Sequence, residues 1–209
     1  MDQKDQKPFL QITPAGAYYA TVSSEPDDAR AFLLQLLSSD VPLPYSKEVV
    51  EELTDLESSA ATLLFKKMAA KRFVRLTRSP TQALDESVEQ QLPKLLAKLT
   101  GNGKAALADD QGFCLGAVGF EEEHAEAVSA LAADLVSLHE RHLPLLNRQM
   151  GLSGESWGMI DPLGQSQIGF WVIKLGSLKF VLILESMPRL NHQSFVDLLS
   201  VLARRYLDY

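Results

Sequence analysis

Gly154-Glu155-Ser156-Trp157-Gly158 spells GxSxG, the elbow that exposes a nucleophilic serine on a strained turn between a strand and a helix. A polar Gly/Ser-rich stretch precedes this serine, and Met159-Ile160-Asp161 continues as strand, so the context is wrong for acyl chemistry. With His192 as base, Asp161 or Asp197 would have to complete the triad, and Asp197 stands in the wrong order relative to the histidine. His139-Glu140-Arg141-His142 sets two histidines three apart rather than the four of HExxH. The pair can share a helix face, but no third ligand is evident. Gly101-Asn102-Gly103-Lys104 is half a phosphate loop, with Ala105 where a Ser or Thr should follow; it reads as a turn. The single cysteine, Cys114, sits in an apolar run and is expected to be a small core residue rather than a nucleophile. The expectation is a chain with no catalytic residues, no metal and no cofactor.

Binding chemistry is better represented. The chain of 209 residues carries 20 basic and 27 acidic side chains, net −7. Residues 1–103 hold 12 basic and 14 acidic groups and residues 104–209 hold 8 and 13, so any nucleic-acid surface belongs to the first half. Within it, Lys66, Lys67, Lys71, Arg72, Arg75 and Arg78 form a run with no acid between residues 66 and 78, while Asp40, Glu48, Glu51, Glu52, Asp55 and Glu57 come earlier. Acids near a helix start and bases near its end complement the backbone dipole without any ligand. A nucleic-acid contact through Lys66, Lys67, Lys71, Arg72 and Arg75 is the sharper alternative.

The elements that must position these groups follow from periodicity. Residues 1–16 are expected to be a flexible tail, and Ala17 to Val22 a short strand. Ser24-Glu25-Pro26-Asp27 opens a helix carrying Ala31, Phe32, Leu34, Leu36 and Leu37. From Ser46 to about Arg72, apolar residues recur at threes and fours, with or without a break near Thr54-Asp55. If broken, Ser46–Leu53 and Leu56–Lys71 resemble the two helices of a helix-turn-helix, with Phe73–Thr77 as a wing strand; the second wing strand is not evident. The domain boundaries expected are therefore 17–80, mainly helical and winged-helix-like, and 84–209.

In the second domain, Leu84, Val88, Leu92, Leu95, Leu96 and Leu99 mark a helix containing Pro93, stopped by Gly101-Asn102-Gly103. Two short apolar runs, Lys104–Asp109 and Phe113–Gly119, flank an Asp/Gly turn as a hairpin. A long helix from Glu121 to about Leu143 has Val128, Leu131, Leu135, Leu138 and His142 on one side and alanines over much of its early surface. A strand near Trp157–Asp161 precedes Gln167–Leu175 and Leu178–Glu185, which are joined by Gly176-Ser177, a two-residue type II′ loop. A last helix starts near Asn191 as cap. Helix, two strands, helix, three strands and helix imply an α+β sandwich with a five-stranded antiparallel sheet.

The hairpin Ala106-Leu107-Ala108-Asp109-Asp110-Gln111-Gly112-Phe113-Cys114-Leu115, running directly into an alanine-rich helix, resembles the roadblock family, the small domains of dynein light chains and bacterial GTPase regulators. The resemblance covers about residues 84–209; Pro93 departs from the pattern. It implies a roadblock/profilin-like sandwich that works by binding: a homodimer that joins sheets and packs its long helix against its mate, engaging a small Ras-type GTPase or a signalling or motility complex. The surface implied comprises Ala127, Ala130 and Asp134 on the helix and Phe170 and Trp171 on the strand. The rival is a transcription regulator that reads DNA with residues 29–78 and dimerises through its second domain. No polar cluster marks a small-molecule pocket. With no apolar run of about 18 residues, no leader-like start and one cysteine, the expected location is cytoplasmic, away from membranes.

Overall fold

A computed structural model of the chain describes residues 7–80, 87–100 and 103–207, in two compact units: residues 1–86 with 191–209, and residues 87–190. The fold is α+β, with a five-stranded antiparallel sheet in the second unit and a mainly helical first unit.

The first unit begins with strand β1 (Phe9–Ile12), where a frayed tail was expected, and helix α1 (Pro14–Thr21), where a strand was expected. Thr13 decides the corner. Its hydroxyl accepts from Gly16 N as the helix cap and donates to Arg72 O at 2.7 Å. A proline at the first helical position supplies the φ that Ala17 to Val22, read alone as a short strand, does not reveal. Helices α2 (Asp28–Ser38), α3 (Lys47–Thr54) and α4 (Ser58–Ala70) follow. The break between α3 and α4 is made without glycine, by Asp55 in the left-handed region at φ 51°. Strand β2 (Val74–Thr77) pairs antiparallel with β1, Ile12 opposite Val74. On its other edge β1 bonds to residues 43–45, through Leu10 N to Leu43 O and Tyr45 N to Pro8 O. The antiparallel partner of β2 thus comes from the start of the chain, not from a strand that follows it.

The second unit runs α5 (Val88–Thr100), β3 (Ala105–Asp109), β4 (Cys114–Val118), α6 (Glu122–Leu143), a π-helical segment (Pro144–Gln149), β5 (Trp157–Ile160), β6 (Ser166–Leu175) and β7 (Leu178–Glu185). The sheet order is β4-β3-β7-β6-β5, all antiparallel. Helix α5 continues through Pro93; Leu84 and the Gly101-Asn102 stop lie outside the described residues. Alternation divides the sheet. Leu107, Gly116 and Leu182 share one face, where Leu92 of α5 lies against Gly116. Ala106, Ala108, Phe170, Val181 and Ile183 face the other way and pack with Ala132 and Val136 of α6. Small side chains in β3 and α6 let the helix lie close to the sheet.

The last helix, α7 (Gln193–Tyr206), groups with the first unit, where it packs on α1 and α2, instead of completing the second domain to residue 209. Its cap is His192, whose Nδ1 accepts from Ser194 N at 3.2 Å, rather than Asn191. That role removes His192 from any triad.

Candidate interaction surface

Helix α6 is two-sided by arithmetic. Ala125, Ser129, Ala132, Val136 and His139, spaced four, three, four and three, are its buried residues. Shifting each position by two residues turns about 200° around the helix and gives Ala127, Leu131, Asp134, Leu138 and Arg141, all exposed. Leu145, in the π-helical segment, continues that spacing. The side inferred from sequence is thus split: Val128 and Leu135 flank the core, whereas Leu131, Leu138 and His142 are exposed. Acids Glu122 and Glu123 begin the helix and Arg141 and His142 end it, as the dipole favours.

Next to α6 the chain keeps presenting apolar groups. Among the described residues, nine of the sixteen exposed large hydrophobic residues fall between Leu131 and Leu163. They include Met150 and Leu152 after the π-helical segment and Met159 and Ile160 on β5, with Ile160 70% exposed. Strand β5 pairs with β6 on one side and forms the edge of the sheet on the other. Such an edge offers unpaired backbone donors and acceptors to another strand.

Three contacts hold this surface in place. Trp157 Nε1 donates to His139 Nδ1 at 3.3 Å, tying β5 to α6, and the two rings meet edge to face with centroids 6.1 Å apart. Lys174 of β6 bonds Glu155 in the loop before β5 at 2.6 Å. Lys179 of β7 bonds Glu140 of α6. His139 is 5% exposed, and among the described residues its buried Nε2 has no hydrogen-bond partner, nor does the Ser129 hydroxyl.

The residues expected at an interface are not all on this surface. Ala127, Ala130 and Asp134 are exposed. Ala130 also lies beside Gly112, whose left-handed turn (φ 90°) brings its missing Cβ to 3.1 Å from Ala130 Cα. Its small size is thus explained within the unit. Phe170 is 4% exposed in the core between α6 and the sheet, which corrects its placement at a partner surface. Trp171, half-buried, points to the opposite face and covers Gly169. The leucines of the exposed stripe and the β5 edge were missed; the four-three spacing from Ala127 to Arg141 was the signal available for the leucines.

The other candidates separate. His139 faces the core and His142 is exposed, so the pair is divided. Ser156 stands in the loop just before β5, with a strand after it where the elbow needs a helix. Among the described residues no group of three or more His, Cys, Asp or Glu is placed to hold a metal, and no helix is long and apolar enough to cross a membrane. A depression of about 390 Å³, open to solvent, touches Thr100, Gln165, Ser166, Ser186 and Arg189. The hydroxyl of Thr100 is already engaged there, donating to Glu185 O at 3.1 Å.

In the first unit, Lys66, Lys67, Lys71, Arg72 and Arg75 are exposed at the end of α4 and on β2. The Lys71 ammonium lies 6.0 Å from the Tyr19 ring centroid and 5.8 Å from that of Phe73, and Arg75 donates to Gln11 Oε1 at 3.0 Å.

Among solved structures the chain is similar to a Roadblock/LC7 domain from Streptomyces avermitilis (15% identity, TM-score 0.33, covering 54% of this chain and 91% of that one). It is also similar to MglB of Myxococcus xanthus (14%, 0.38, 59% and 93%) and to the gliding protein MglB of Thermus thermophilus (17%, 0.36, 60% and 94%). No family model and no curated protein sequence matches it.

Proposed function

We propose that residues 87–190 are a non-enzymatic interaction module: a dimeric scaffold or regulator in the cytoplasm that binds a small Ras-type GTPase or a signalling or motility complex. The observation that carries self-association is the concentration of exposed apolar side chains on α6, after it and on β5, together with the open edge of the sheet that β5 forms. Apolar area of this extent beside an unpaired strand is a liability in a monomer and an asset in an assembly. The GTPase partner rests on the resemblance of the 106–115 hairpin and its following helix to the roadblock family. Two measurements test the reading: sedimentation velocity at about 100 μM, well above weak-dimer affinities, and retention of purified Ras-type GTPases, loaded with GDP or a GTP analogue, on the immobilised chain. A monodisperse monomer removes the dimer. Failure to retain any GTPase in either nucleotide state removes that partner.

The exposed basic corner Lys66, Lys67, Lys71, Arg72 and Arg75 favours a second reading, a DNA-binding regulator of winged-helix type dimerised by the second unit. Salt-dependent DNA retention that disappears when the first four are neutralised would support it.

A further inference from the structure

The open depression of about 390 Å³ in the second unit gathers polar groups that are far apart in the chain: Gln165 and Ser166 where β6 begins, and Ser186 and Arg189 after β7. Among the described residues none of these four side chains has a hydrogen-bond or ion-pair partner. We propose that the depression is a binding site for a small hydroxylated carboxylate, held at its carboxylate by Arg189 and along its hydroxyls by Ser166, Ser186 and Gln165. The site uses none of the exposed hydrophobic residues between Leu131 and Leu163 and is independent of the dimer and GTPase readings above.

Hydrogen bonds fix the three segments that form it. Arg189 N donates to Leu99 O at 2.8 Å, Ser186 N to Gln167 O at 2.7 Å, and Thr100 Oγ1 to Glu185 O at 3.1 Å. The end of α5, the start of β6 and the turn after β7 are thereby set against one another before any ligand arrives, which lowers the ordering cost of binding. Gly103 fits the corner between two hydroxyls, because a Cβ there would stand 2.5 Å from Thr100 Oγ1 and 3.2 Å from Ser186 Oγ. Ser186 holds the left-handed backbone at φ 63°, a conformation that side chains other than glycine adopt seldom and that collects where chains contact ligands. The carbonyls at the end of α5 that would repel an anion are engaged, Leu99 O by Arg189 N and Thr100 O by Gly103 N. The ligand's chemistry follows from these groups. Arg189 is the one charged residue lining the depression among the described residues, and its planar fork matches a single carboxylate in two parallel bonds. The hydroxyls of Ser166 and Ser186 and the amide of Gln165 both donate and accept. Bare oxyanion oxygens would use only their donors, whereas ligand hydroxyls use both capacities. Met187 and Pro188 supply an apolar wall for the carbon chain.

Backbone amide shifts of the isotopically labelled full chain, titrated with gluconate, test the site. Gluconate should shift the amides of Ser166, Ser186 and Arg189 saturably, with a dissociation constant of about 1 mM, the scale expected for so small a ligand in an open site. Sorbitol, which lacks the carboxylate, and hexanoate, which lacks the hydroxyls, should each bind at least about tenfold more weakly. Arg189→Gln should weaken gluconate by about tenfold or more. Ser186→Gly removes a hydroxyl while suiting the left-handed backbone, so it keeps the fold and should weaken gluconate by about threefold. No saturable shift up to about 20 mM, shifts confined to other parts of the chain, or a gluconate constant unchanged in both variants overturns the site. Hexanoate or sorbitol binding as tightly as gluconate overturns the ligand class. So does glucose 6-phosphate binding about tenfold more tightly than gluconate, which would assign the charge to a phosphate.

Discussion

Leu131→Ala is the most direct test of the α6 surface, because its magnitude follows from exposure. Fully burying a leucine contributes about 1.5–3 kcal/mol. Leu131 is 47% exposed, so roughly half of that, about 0.7–1.4 kcal/mol, remains to be gained in each copy. A two-fold interface counts the residue twice, giving about 1.4–2.8 kcal/mol, or a dimer constant about ten- to a hundredfold weaker. The covered half of the side chain costs the monomer about 1 kcal/mol, well short of unfolding a domain. Sedimentation velocity across a concentration series, with circular dichroism on the same samples, reads both quantities. Leu63→Ala is the control: at 54% exposure it offers at least as much apolar surface as Leu131 but belongs to α4 of the first unit. It should leave the dimer constant unchanged. Equal effects of the two variants, or a Leu131→Ala constant within about threefold of the parent, would refute the assignment of this stripe to an interface.

Gly16→Ala should destabilise the first unit by about 2–3 kcal/mol in urea unfolding, because the added Cβ would fall 2.1 Å from the Phe73 carbonyl oxygen, a backbone atom. The Tyr19 hydroxyl donates to the Asp27 carboxylate, and that bond, with burial and the carboxylate charge, raises its pKa above 10.0 against the opposing effect of Arg30. Its stabilisation is therefore complete below the unfolded value and lost as pH rises through the folded one. Asp27→Asn should bring Tyr19's phenolate absorbance titration back toward the ordinary value, and should cost less than about 1 kcal/mol because asparagine still caps α2. Trp157→Phe should cost about 1–3 kcal/mol by stranding His139 Nδ1 in the core, and adding His139→Leu should recover part of that loss by removing both buried ring nitrogens. If the double variant is no more stable than Trp157→Phe alone, the orphaned nitrogen is not the cause.

Long periodic segments made most of the second unit legible. The hairpin at Gly176-Ser177, the helix after Glu121 and the β3–β4 hairpin fall where alternation and three-four spacing place them, because one face of each is fixed by the core. The failures have specific causes. Residues 9–21 were misread because β1 exists through backbone pairing with β2, some 65 residues away, and α1 is fixed by Thr13 holding Arg72 O and Gly16 N. Neither partner is visible within a local window. Phe170 was misassigned because four consecutive apolar residues say that a strand is covered, not by what; one side proved to be the helix of the same unit. The outward leucines of α6 were hidden for the opposite reason. Val128 and Leu135 lie at the margin of the inward face and Leu131 and Leu138 at the margin of the outward one, so their three- and four-residue spacing merges two faces into one apparent side.

The basic corner and the acidic helix before it bear on DNA together. Glu48, Glu52, Asp55 and Glu57 are exposed on α3 and at the start of α4, while Lys66, Lys67, Lys71 and Arg72 are exposed at its end. In a helix-turn-helix the N-terminal part of the second helix meets the bases, and the first helix crosses the backbone. Those are the parts that carry carboxylates here. From Glu57 to Lys67 the helix rises about 15 Å, beyond the ~8 Å screening length at physiological salt, so the acids do not cancel the basic end; they oppose entry of the helix start into a groove. What remains is a phosphate contact by five cations without base reading. Its signature is a salt dependence of about −4.5 in log–log slope, similar for unrelated duplexes. A preference for one sequence by a hundredfold or more would show that the helix start does enter the groove and that this electrostatic reasoning is wrong. Binding that does not respond to salt would show that the corner contacts no phosphate at all.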